Sequence, residues 1–427
     1  MNTATGAPLP KPPARVLVVK LADLGDALLT TPTVHALRAA WPDARIDVLT
    51  TPQAAVVYEA NPDVDRVHAL DVHARGPAPV GAPVRGAVVA VAGSSPLARG
   101  ARSSRPIPIA RFAQLARIAR RARTIAALRR ERYDVIALCH SLVTRRGAMK
   151  YAALLALIGA PVRAGVAPAG RWRGAFLTHR GLDRGYGAAH VVETMAGVAA
   201  ALGVPVADLA PRFGPGDAAH AAAAALLAGA DVRDAGTPST TTTLAGRTIA
   251  FHPGAGPYSA ARRWAPERFA AVMAAVHDAG ARTVLCGTAA DDDALVRAAG
   301  APIDVDATGR TDVPTLAALL ARCDGVVCND GGVMHLAAAV GTPVVAVFGP
   351  SNDAAWGPWP PARAGRPSPH RIVRVDVPCR PCLYVGHRLG SPAGCPTRDC
   401  LRWLGPAPVI AAVFDALAGS TKIDEPA

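Results

Sequence analysis

The chain has 427 residues, a length that favours two domains, and 51% of them are hydrophobic against 18% charged, which excludes a disordered protein. Its formal charge of +14 is concentrated between Val72 and Arg132, where thirteen arginines stand against one acidic residue. Because the rest of the chain is nearly neutral, a protein that coats nucleic acid over its whole surface is disfavoured.

The N-terminal segment 1–14 is rich in proline and polar residues and has no apolar core. It therefore resembles neither a signal peptide nor the start of a membrane span, and we expect a disordered tail on a cytoplasmic protein.

Short β-branched runs recur after this tail, and each is followed by a glycine or polar turn and an Ala/Leu-rich helical stretch. This alternation predicts an α/β protein with parallel sheets covered by helices on both faces. The predicted strands are Arg15–Lys20, Arg45–Thr50, Tyr133–Cys139, Thr248–His252, Thr283–Gly287, Ile303–Asp306, Gly325–Cys328, Val344–Phe348 and Ile372–Val375.

A linker composition over 206–246 predicts the boundary between two doubly wound domains that face a central cleft. The first domain covers 15–205 and carries a basic insertion over 72–132. The second covers 247–427 and carries a cysteine cluster over 379–400.

The basic segment 99–132 has an apolar stripe at nearly helical spacing, flanked by arginines. The stripe consists of Phe112, Leu115, Ile118, Ile125 and Leu128. Such a helix suits an anionic membrane surface, and an ordinary domain helix with a solvated basic face is the alternative. Nucleic-acid binding is disfavoured because Phe112 is the one aromatic residue of the segment.

The first candidate site lies directly after the first strand, where Gly25 allows close approach of a ligand and Asp26 presents a carboxylate. The alternative is that Asp26 caps the following helix. Lys20 is interpreted as structural. The segment lacks a GxGxxG fingerprint, so nothing here indicates a dinucleotide site.

The second candidate site follows the strand Thr248–His252, where a loop containing Gly254 and Gly256 precedes Arg262. Loop amides and an arginine suit a diphosphate, although Arg262 could instead be solvated.

The third candidate site follows the strand Gly325–Cys328. Gly331 and Gly332 open a helix with free N–H groups, and Asp330 beside them suits sugar hydroxyls better than an anion. His335 lies about a turn inside this helix, where a satisfied core histidine is the alternative to a catalytic residue.

Four cysteines near the C-terminus, Cys379, Cys382, Cys395 and Cys400, have spacing compatible with a structural zinc site. Free thiols or a local disulfide are the alternatives, and neither interpretation makes the cluster catalytic.

Taken together, these segments resemble glycosyltransferase family 9, the lipopolysaccharide heptosyltransferase family. The motifs that carry the resemblance are Leu-Gly-Asp-Ala-Leu-Leu-Thr-Thr-Pro (24–32), His-Pro-Gly-Ala-Gly (252–256), Arg-Arg-Trp-Ala-Pro-Glu-Arg-Phe (262–269), Asn-Asp-Gly-Gly-Val-Met-His-Leu-Ala-Ala-Ala-Val-Gly-Thr-Pro (329–343) and Phe-Gly-Pro (348–350). Arg262 stands where the family usually has lysine, and Cys139-His140-Ser141 replaces the polar segment expected after that strand.

The resemblance implies a GT-B fold with two Rossmann-like domains, and inverting transfer of heptose from ADP-heptose to a lipid-linked saccharide without metal or cofactor. Asp26 matches the general base. The implied donor-binding residues are Gly254, Gly256, Arg262, Asp291, Asp330, Gly331, Gly332 and His335. We expect the enzyme at the inner face of the cell membrane, bound there through 99–132. A GT-B nucleotide-sugar epimerase and a non-catalytic nucleotide-sugar-binding protein are the alternatives.

Overall fold

The computed structural model contains two parallel β-sheets of six strands each, covered by helices. This confirms the predicted doubly wound α/β fold. The structure describes residues 9–72, 109–168, 172–185, 187–229, 244–256, 260–288, 296–297, 299–363, 365–383 and 395–418.

The first sheet has the strand order β3-β2-β1-β4-β5-β6. Its strands are β1 (Arg15–Lys20), β2 (Arg45–Thr50), β3 (Arg66–Ala69), β4 (Val135–Leu138), β5 (Val162–Pro168) and β6 (His179–Asp183). The helices between and after them are α1 (Leu24–Leu28), α2 (Thr31–Ala40), α3 (Val56–Glu59), α4 (Ile109–Arg130), α5 (Arg145–Ile158) and α6 (Val191–Ala201). A 3-10 turn, Trp172–Gly174, follows β5.

The second sheet has the order β12-β11-β10-β7-β8-β9, so its first strand also lies beside its fourth. Its strands are β7 (Thr248–His252), β8 (Arg282–Leu285), β9 (Val305–Asp306), β10 (Gly325–Asn329), β11 (Val344–Val347) and β12 (Arg371–Val373). The accompanying helices are α7 (Asp217–Ala228), α8 (Pro266–Asp278), α9 (Val313–Arg322), α10 (Gly332–Ala339), α11 (Asp353–Trp356), α12 (Asp399–Arg402) and α13 (Pro406–Ala418). A 3-10 turn at Ala260–Arg262 precedes α8.

The central strand β1 shows why continuous apolar runs form these sheets. Val16 and Val18 belong to the hydrophobic cluster on one face of the sheet, whereas Leu17 and Val19 belong to the cluster on the other. All four side chains are buried. A strand covered by helices on both faces needs apolar residues at every position, which is the pattern of this segment.

Three strands, β3, β5 and β6, were not predicted. β3 and β6 are the two edge strands, where polar side chains are tolerated because one side of the strand is unpaired. In β5, an ideal Cβ on Gly165 would lie 3.0 Å from Leu177 Cδ1. A residue without a side chain is needed at that contact. A glycine within the segment makes its sequence less typical of a β-strand.

Two features of the chain differ from the expected domain plan. Residues 9–14 of the predicted tail are in contact with the first sheet: Leu9 packs on its core, and the Ala14 amide donates to Asp134 Oδ2 at 2.8 Å. The disordered tail predicted through residue 14 is therefore wrong for these residues, while 1–8 lie outside the described part of the chain. Within the predicted linker, α7 packs against α9 and so belongs with the second sheet.

The predicted basic helix is confirmed as α4, and the part of the basic insertion from 73 to 108 lies outside the described residues. Along the predicted stripe, Ile118 is 53% exposed, Ile125 is half-buried and Leu128 is buried. The side chains of Phe112 and Leu115 lie outside the described part. No helix among the described residues is both long and apolar enough to span a bilayer.

Candidate active site

The candidate site lies between the carboxyl edges of the two sheets. In a doubly wound sheet, ligands bind where the strand order reverses, which here is between β1 and β4 and between β7 and β10. The helices that follow β1 and β10, α1 and α10, pack directly against each other. The two switch points therefore meet across one cleft.

Gly25 makes this close contact between α1 and α10. An ideal Cβ on Gly25 would lie 2.7 Å from His335 Cδ2 and 3.3 Å from Gly332 Cα. On the facing helix, an ideal Cβ on Gly332 would be in ordinary contact with the Leu24 side chain at 3.5 Å. A glycine is required at 25 because only a residue without a side chain leaves room for the imidazole ring.

Asp26 lies in α1 beside Lys20, with 3.4 Å between Lys20 Nζ and Asp26 Oδ1. Its side chain is 39% exposed, so a substrate can reach it. Burial acts to raise the pKa of Asp26, but the Lys20 charge and hydrogen bond, together with His140 and His335 once these rings are protonated in acid, hold it below its usual value. The carboxylate is therefore ionised at neutral pH. The residue at the N-cap of α1 is Asp23, so the alternative that Asp26 caps this helix is wrong.

His140 is a member of this group that the sequence analysis did not select. Its ring packs on Tyr151 of α5 with 4.7 Å between centroids, and it interacts electrostatically with Lys20 and Asp26. Burial and the nearby Lys20 charge lower the pKa of His140 to about 4, so the ring is neutral at neutral pH. The position after β4 was the only signal available, because β4 lies beside β1.

Asn329, at the end of β10, fixes the glycine loop of the second sheet. Its Nδ2 donates to the carbonyl of Pro253 at 2.6 Å, and its Oδ1 accepts from the Trp264 amide at 3.0 Å. The loop turns at Gly256, whose φ of +69° favours glycine. One buried amide thus fixes both the loop and the start of α8.

Arg262 and Asp330 lie together at the floor of the cleft. Arg262 Nη1 is 3.6 Å from Asp330 Oδ2, and Nη2 donates to the Ala255 carbonyl at 3.0 Å. Burial raises the pKa of Asp330 despite the opposing effect of Arg262, and the nearby Asp26 charge adds to the increase. Arg262 is therefore packed within the cleft, and the alternative of a solvated side chain is wrong.

His335 lies between these groups on α10 and is 5% exposed. Burial and the neighbouring His190 lower its pKa to about 3, so the imidazole is neutral. Its Nδ1 is buried without a hydrogen-bond partner among the described residues. The alternative of a satisfied core histidine does not fit, since a polar atom is left open beside Asp26 and Arg262.

The remaining predicted donor residues are placed as follows. Gly331 precedes α10 as its N-cap in an extended conformation, and an ideal Cβ on it would lie 3.8 Å from Ala255 Cα in the 254–256 loop. Asp291, also implied as donor-binding, lies outside the described residues.

His190 is a second histidine that the sequence analysis missed, and it connects the two halves of the molecule. As the N-cap of α6, it accepts from the Val192 amide through Nδ1, and its Nε2 lies 2.9 Å from the Gly357 carbonyl. The Glu193 carboxylate pairs with Arg363 nearby. Direct polar contacts thus join the two halves of the molecule, and His190 among them interacts electrostatically with His335.

The predicted zinc cluster lies in the second half of the molecule. Cys379 is exposed and Cys382 and Cys400 are buried. Burial, followed by the charges of the other three thiols, raises the pKa of Cys400 to about 11. Within the described ranges, no group of three or more His, Cys, Asp or Glu side chains has the arrangement of a metal site. Structural zinc at Cys379, Cys382, Cys395 and Cys400 stays a prediction.

Solved structures with the same architecture come from the family that the motifs resemble. A glycosyl transferase family 9 protein from Veillonella parvula superposes with a TM-score of 0.62 at 22% identity, covering 95% of this chain and 98% of that one. Escherichia coli ADP-heptose lps heptosyltransferase II gives 0.60 at 20% identity, with the same coverage. The architecture is therefore GT-B.

Sequence comparison gives the family. Lipopolysaccharide heptosyltransferase 2 of Escherichia coli (strain K12) is 34% identical over 110 residues, which is 24% of this chain and 31% of the relative. The aligned segment thus spans about a third of the relative. The family model described as Glycosyltransferase family 9 (heptosyltransferase) matches residues 121–386. Since this match covers well over half of the chain, the protein belongs to glycosyltransferase family 9.

Proposed function

We propose that this protein transfers heptose from ADP-heptose to a lipid-linked saccharide of the lipopolysaccharide core, with inversion at the anomeric carbon. The observation that carries the proposal is the pairing, across one cleft, of an ionised accessible carboxylate at Asp26 with the Arg262 guanidinium and the glycine loop. The names of the relatives above supply the donor and the acceptor class.

Donor binding is assigned to the second half of the molecule. Arg262 and the amides at 254–256 and 331–332 would hold the diphosphate, because guanidinium and converging N–H groups stabilise phosphate charge. Asp330 would accept from sugar hydroxyls. The open Nδ1 of His335 would take part in a further hydrogen bond to the donor, and Asp291 would contact the ribose.

Transfer would then proceed as a direct displacement. Asp26 accepts the proton of an acceptor hydroxyl while the hydroxyl oxygen bonds to the anomeric carbon, and the bond from that carbon to the diphosphate breaks. Arg262, the loop amides and the positive end of α10 stabilise the charge on the departing ADP. These groups supply the stabilisation without an added metal or cofactor.

We infer that the acceptor binds to the half of the molecule that contains the first sheet, and that the protein acts at the cytoplasmic face of the cell membrane. In this proposal, α4 attracts the anionic bilayer through its arginines. Arg117, Arg120 and Arg123 form no ion pair with a described carboxylate, which leaves their charges available.

A donor screen tests the central claim. Calorimetry with ADP-, GDP- and UDP-sugars should give tightest binding for ADP-heptose, and an acceptor assay with the lipid-linked core saccharide should release ADP with or without EDTA. Conversion of the sugar nucleotide without acceptor would identify an epimerase. Donor binding without transfer to any core saccharide would indicate a binding protein.

A further inference from the structure

A basic and apolar surface lies on helix α5, outside the cleft. Met149 is 57% exposed, and Trp172 of the neighbouring 3-10 turn is 53% exposed. Arg145, Arg146 and Lys150 of the same helix are also exposed. We name these five residues the α5 platform.

The platform is held in place by hydrogen bonds at its base. The guanidinium of Arg173 donates to the Val143 carbonyl, which fixes the turn carrying Trp172 beside the first turn of α5. The Thr144 hydroxyl caps α5 by accepting from the Gly147 amide at 3.0 Å. Trp172 is therefore exposed on a fixed turn.

The charge of the platform has no counterpart within the described part of the protein. None of Arg145, Arg146 and Lys150 forms an ion pair with a described carboxylate, and α5 contains no acidic residue. Arg146 and Lys150 are four residues apart on the helix, where like charges repel. An anionic partner would relieve this repulsion.

Exposed Trp and Met among lysine and arginine match the chemistry of the bilayer interface. Apolar side chains enter the boundary between headgroups and acyl chains, and basic residues bind anionic headgroups. A second copy of this chain would bring like charges together at the same surface. The charge pattern therefore favours an anionic lipid surface over self-association.

The platform also lies next to the candidate active site. Tyr151 directly follows Lys150 and packs on His140, which interacts electrostatically with Asp26. One side of this helical turn thus belongs to the cleft, while the adjacent side carries the platform. A bilayer in contact with the platform lies beside the entrance to Asp26.

We propose that the α5 platform docks on an anionic phospholipid bilayer and inserts Trp172 and Met149 into its interface. This inference rests on the proposed function in one respect, namely that a lipid-linked acceptor would reach Asp26 from the same bilayer. Docking by insertion differs from attraction by α4, because insertion of apolar groups resists salt whereas charge attraction is screened.

The test uses the full chain and vesicles of phosphatidylcholine with or without phosphatidylglycerol, sedimented at low and at high salt. We expect wild type to bind the anionic vesicles and to retain a bound fraction at high salt. The double variant Trp172→Ser, Met149→Ser should lose that fraction, with a partition coefficient at least tenfold lower.

Two matched variants serve as controls. Leu157→Ser changes an equally exposed residue, 54%, at the opposite end of α5, and Trp403→Ser changes a 63% exposed tryptophan near the second sheet. Both should bind like wild type. Brominated lipid should quench tryptophan fluorescence in wild type, and Trp172→Phe should remove most of that quenching.

Equal binding of wild type and the double variant would overturn the proposal, as would equal binding to neutral and anionic vesicles. Loss of a dimer in sedimentation velocity on Trp172→Ser would assign the surface to self-association instead. ADP-heptose affinity, measured by calorimetry on the same variants, reports separately on the proposed function.

Discussion

Individual residues of the cleft have separable roles because each has a different electrostatic environment. Asp26 is ionised and accessible beside Lys20, while Asp330 is buried against Arg262. The two carboxyls also have pKa values shifted in opposite directions. Divergent environments of this kind distinguish a base from a binding group.

Asp26→Asn should retain ADP-heptose binding and reduce kcat by about 10²-fold or more, because the amide cannot accept the hydroxyl proton. Steady-state kinetics with calorimetry on the same preparation measures both effects. Asp23→Asn is the matched control, since Asp23 is exposed at the N-cap of α1 and makes no side-chain cap bond. Unchanged turnover of the Asp26 variant would remove this residue from catalysis.

Arg262→Ala should weaken ADP binding by at least about tenfold, because it removes the phosphate contact and leaves Asp330 buried without its cation. Arg262→Lys should keep part of the affinity, since lysine retains the charge but loses the two-pronged fork. Titration with ADP measures both. Arg310→Ala, an exposed change near the second sheet, is the control. ADP affinity equal to wild type in Arg262→Ala would place the diphosphate elsewhere.

The sequence predicted the residues that follow their own strands and missed those whose role depends on a neighbouring element. Asp26 and Asp330 were selected because each follows an apolar strand within a glycine motif. His140 belongs to the site because β4 lies beside β1, and His190 because α6 reaches Gly357. Neither the position of β4 beside β1 nor the contact of His190 with Gly357 can be recognised from the residues next to these histidines in the sequence.

At the scale of elements, the contact between α1 and α10 joins the two halves of the site, and Gly25 lies against the His335 ring there. The closest approach is at Gly25, so its geometry constrains the whole cleft. The two edge strands of the first sheet, β3 and β6, were not predicted because pairing of their backbones with a neighbouring strand forms them, while several of their side chains are polar.

Gly25→Ala should lower the free energy of unfolding by about 1–3 kcal/mol, the usual cost of overpacking, because the new methyl group meets the His335 ring. Urea unfolding measures the change. The double variant Gly25→Ala, His335→Ala should show a smaller added cost than the sum of the two single variants. Strict additivity would mean that the two residues do not touch.

Reversal of Arg117, Arg120 and Arg123 to Glu should reduce the salt-sensitive part of binding to anionic vesicles, since each basic residue contributes on the order of 1 kcal/mol near the surface. Arg121 is left unchanged because its Nε donates to the Asp71 carbonyl at 2.5 Å. Co-sedimentation at low salt measures binding, and calorimetry should show intact donor affinity. Sedimentation equal to wild type would leave α4 as a structural helix.

At the scale of the whole molecule, buried neutral histidines make the fold sensitive to acid. Burial holds the pKa of His335 at about 3 and the pKa values of His140 and His370 at about 4. In the unfolded chain these side chains titrate near their ordinary value of about 6.5. Between about pH 4 and about pH 6.5, the unfolded state therefore binds more protons than the folded state.

The free energy of unfolding should accordingly fall as the pH decreases from about 6.5 to about 4, by up to about 1.4 kcal/mol per pH unit for each histidine. Urea unfolding at a series of pH values measures the slope. His335→Asn should reduce the slope by about one proton, so the free energy of unfolding of the variant relative to wild type should be higher at about pH 4.5 than at about pH 7. A slope unchanged by this substitution would show that His335 is protonated in the folded state.

The path of the chain between the two sheets has a mechanical consequence. All strands of the first sheet precede all strands of the second, and α7 and α13 both pack with the second, so the described chain passes between the halves once. A single covalent connection leaves rotation of one half against the other nearly unrestrained by the backbone. The angle of the cleft is then set by side-chain contacts between the halves, namely the packing of α1 on α10 and the contact of His190 with Gly357, and a ligand that spans both sheets changes the angle only by shifting those contacts.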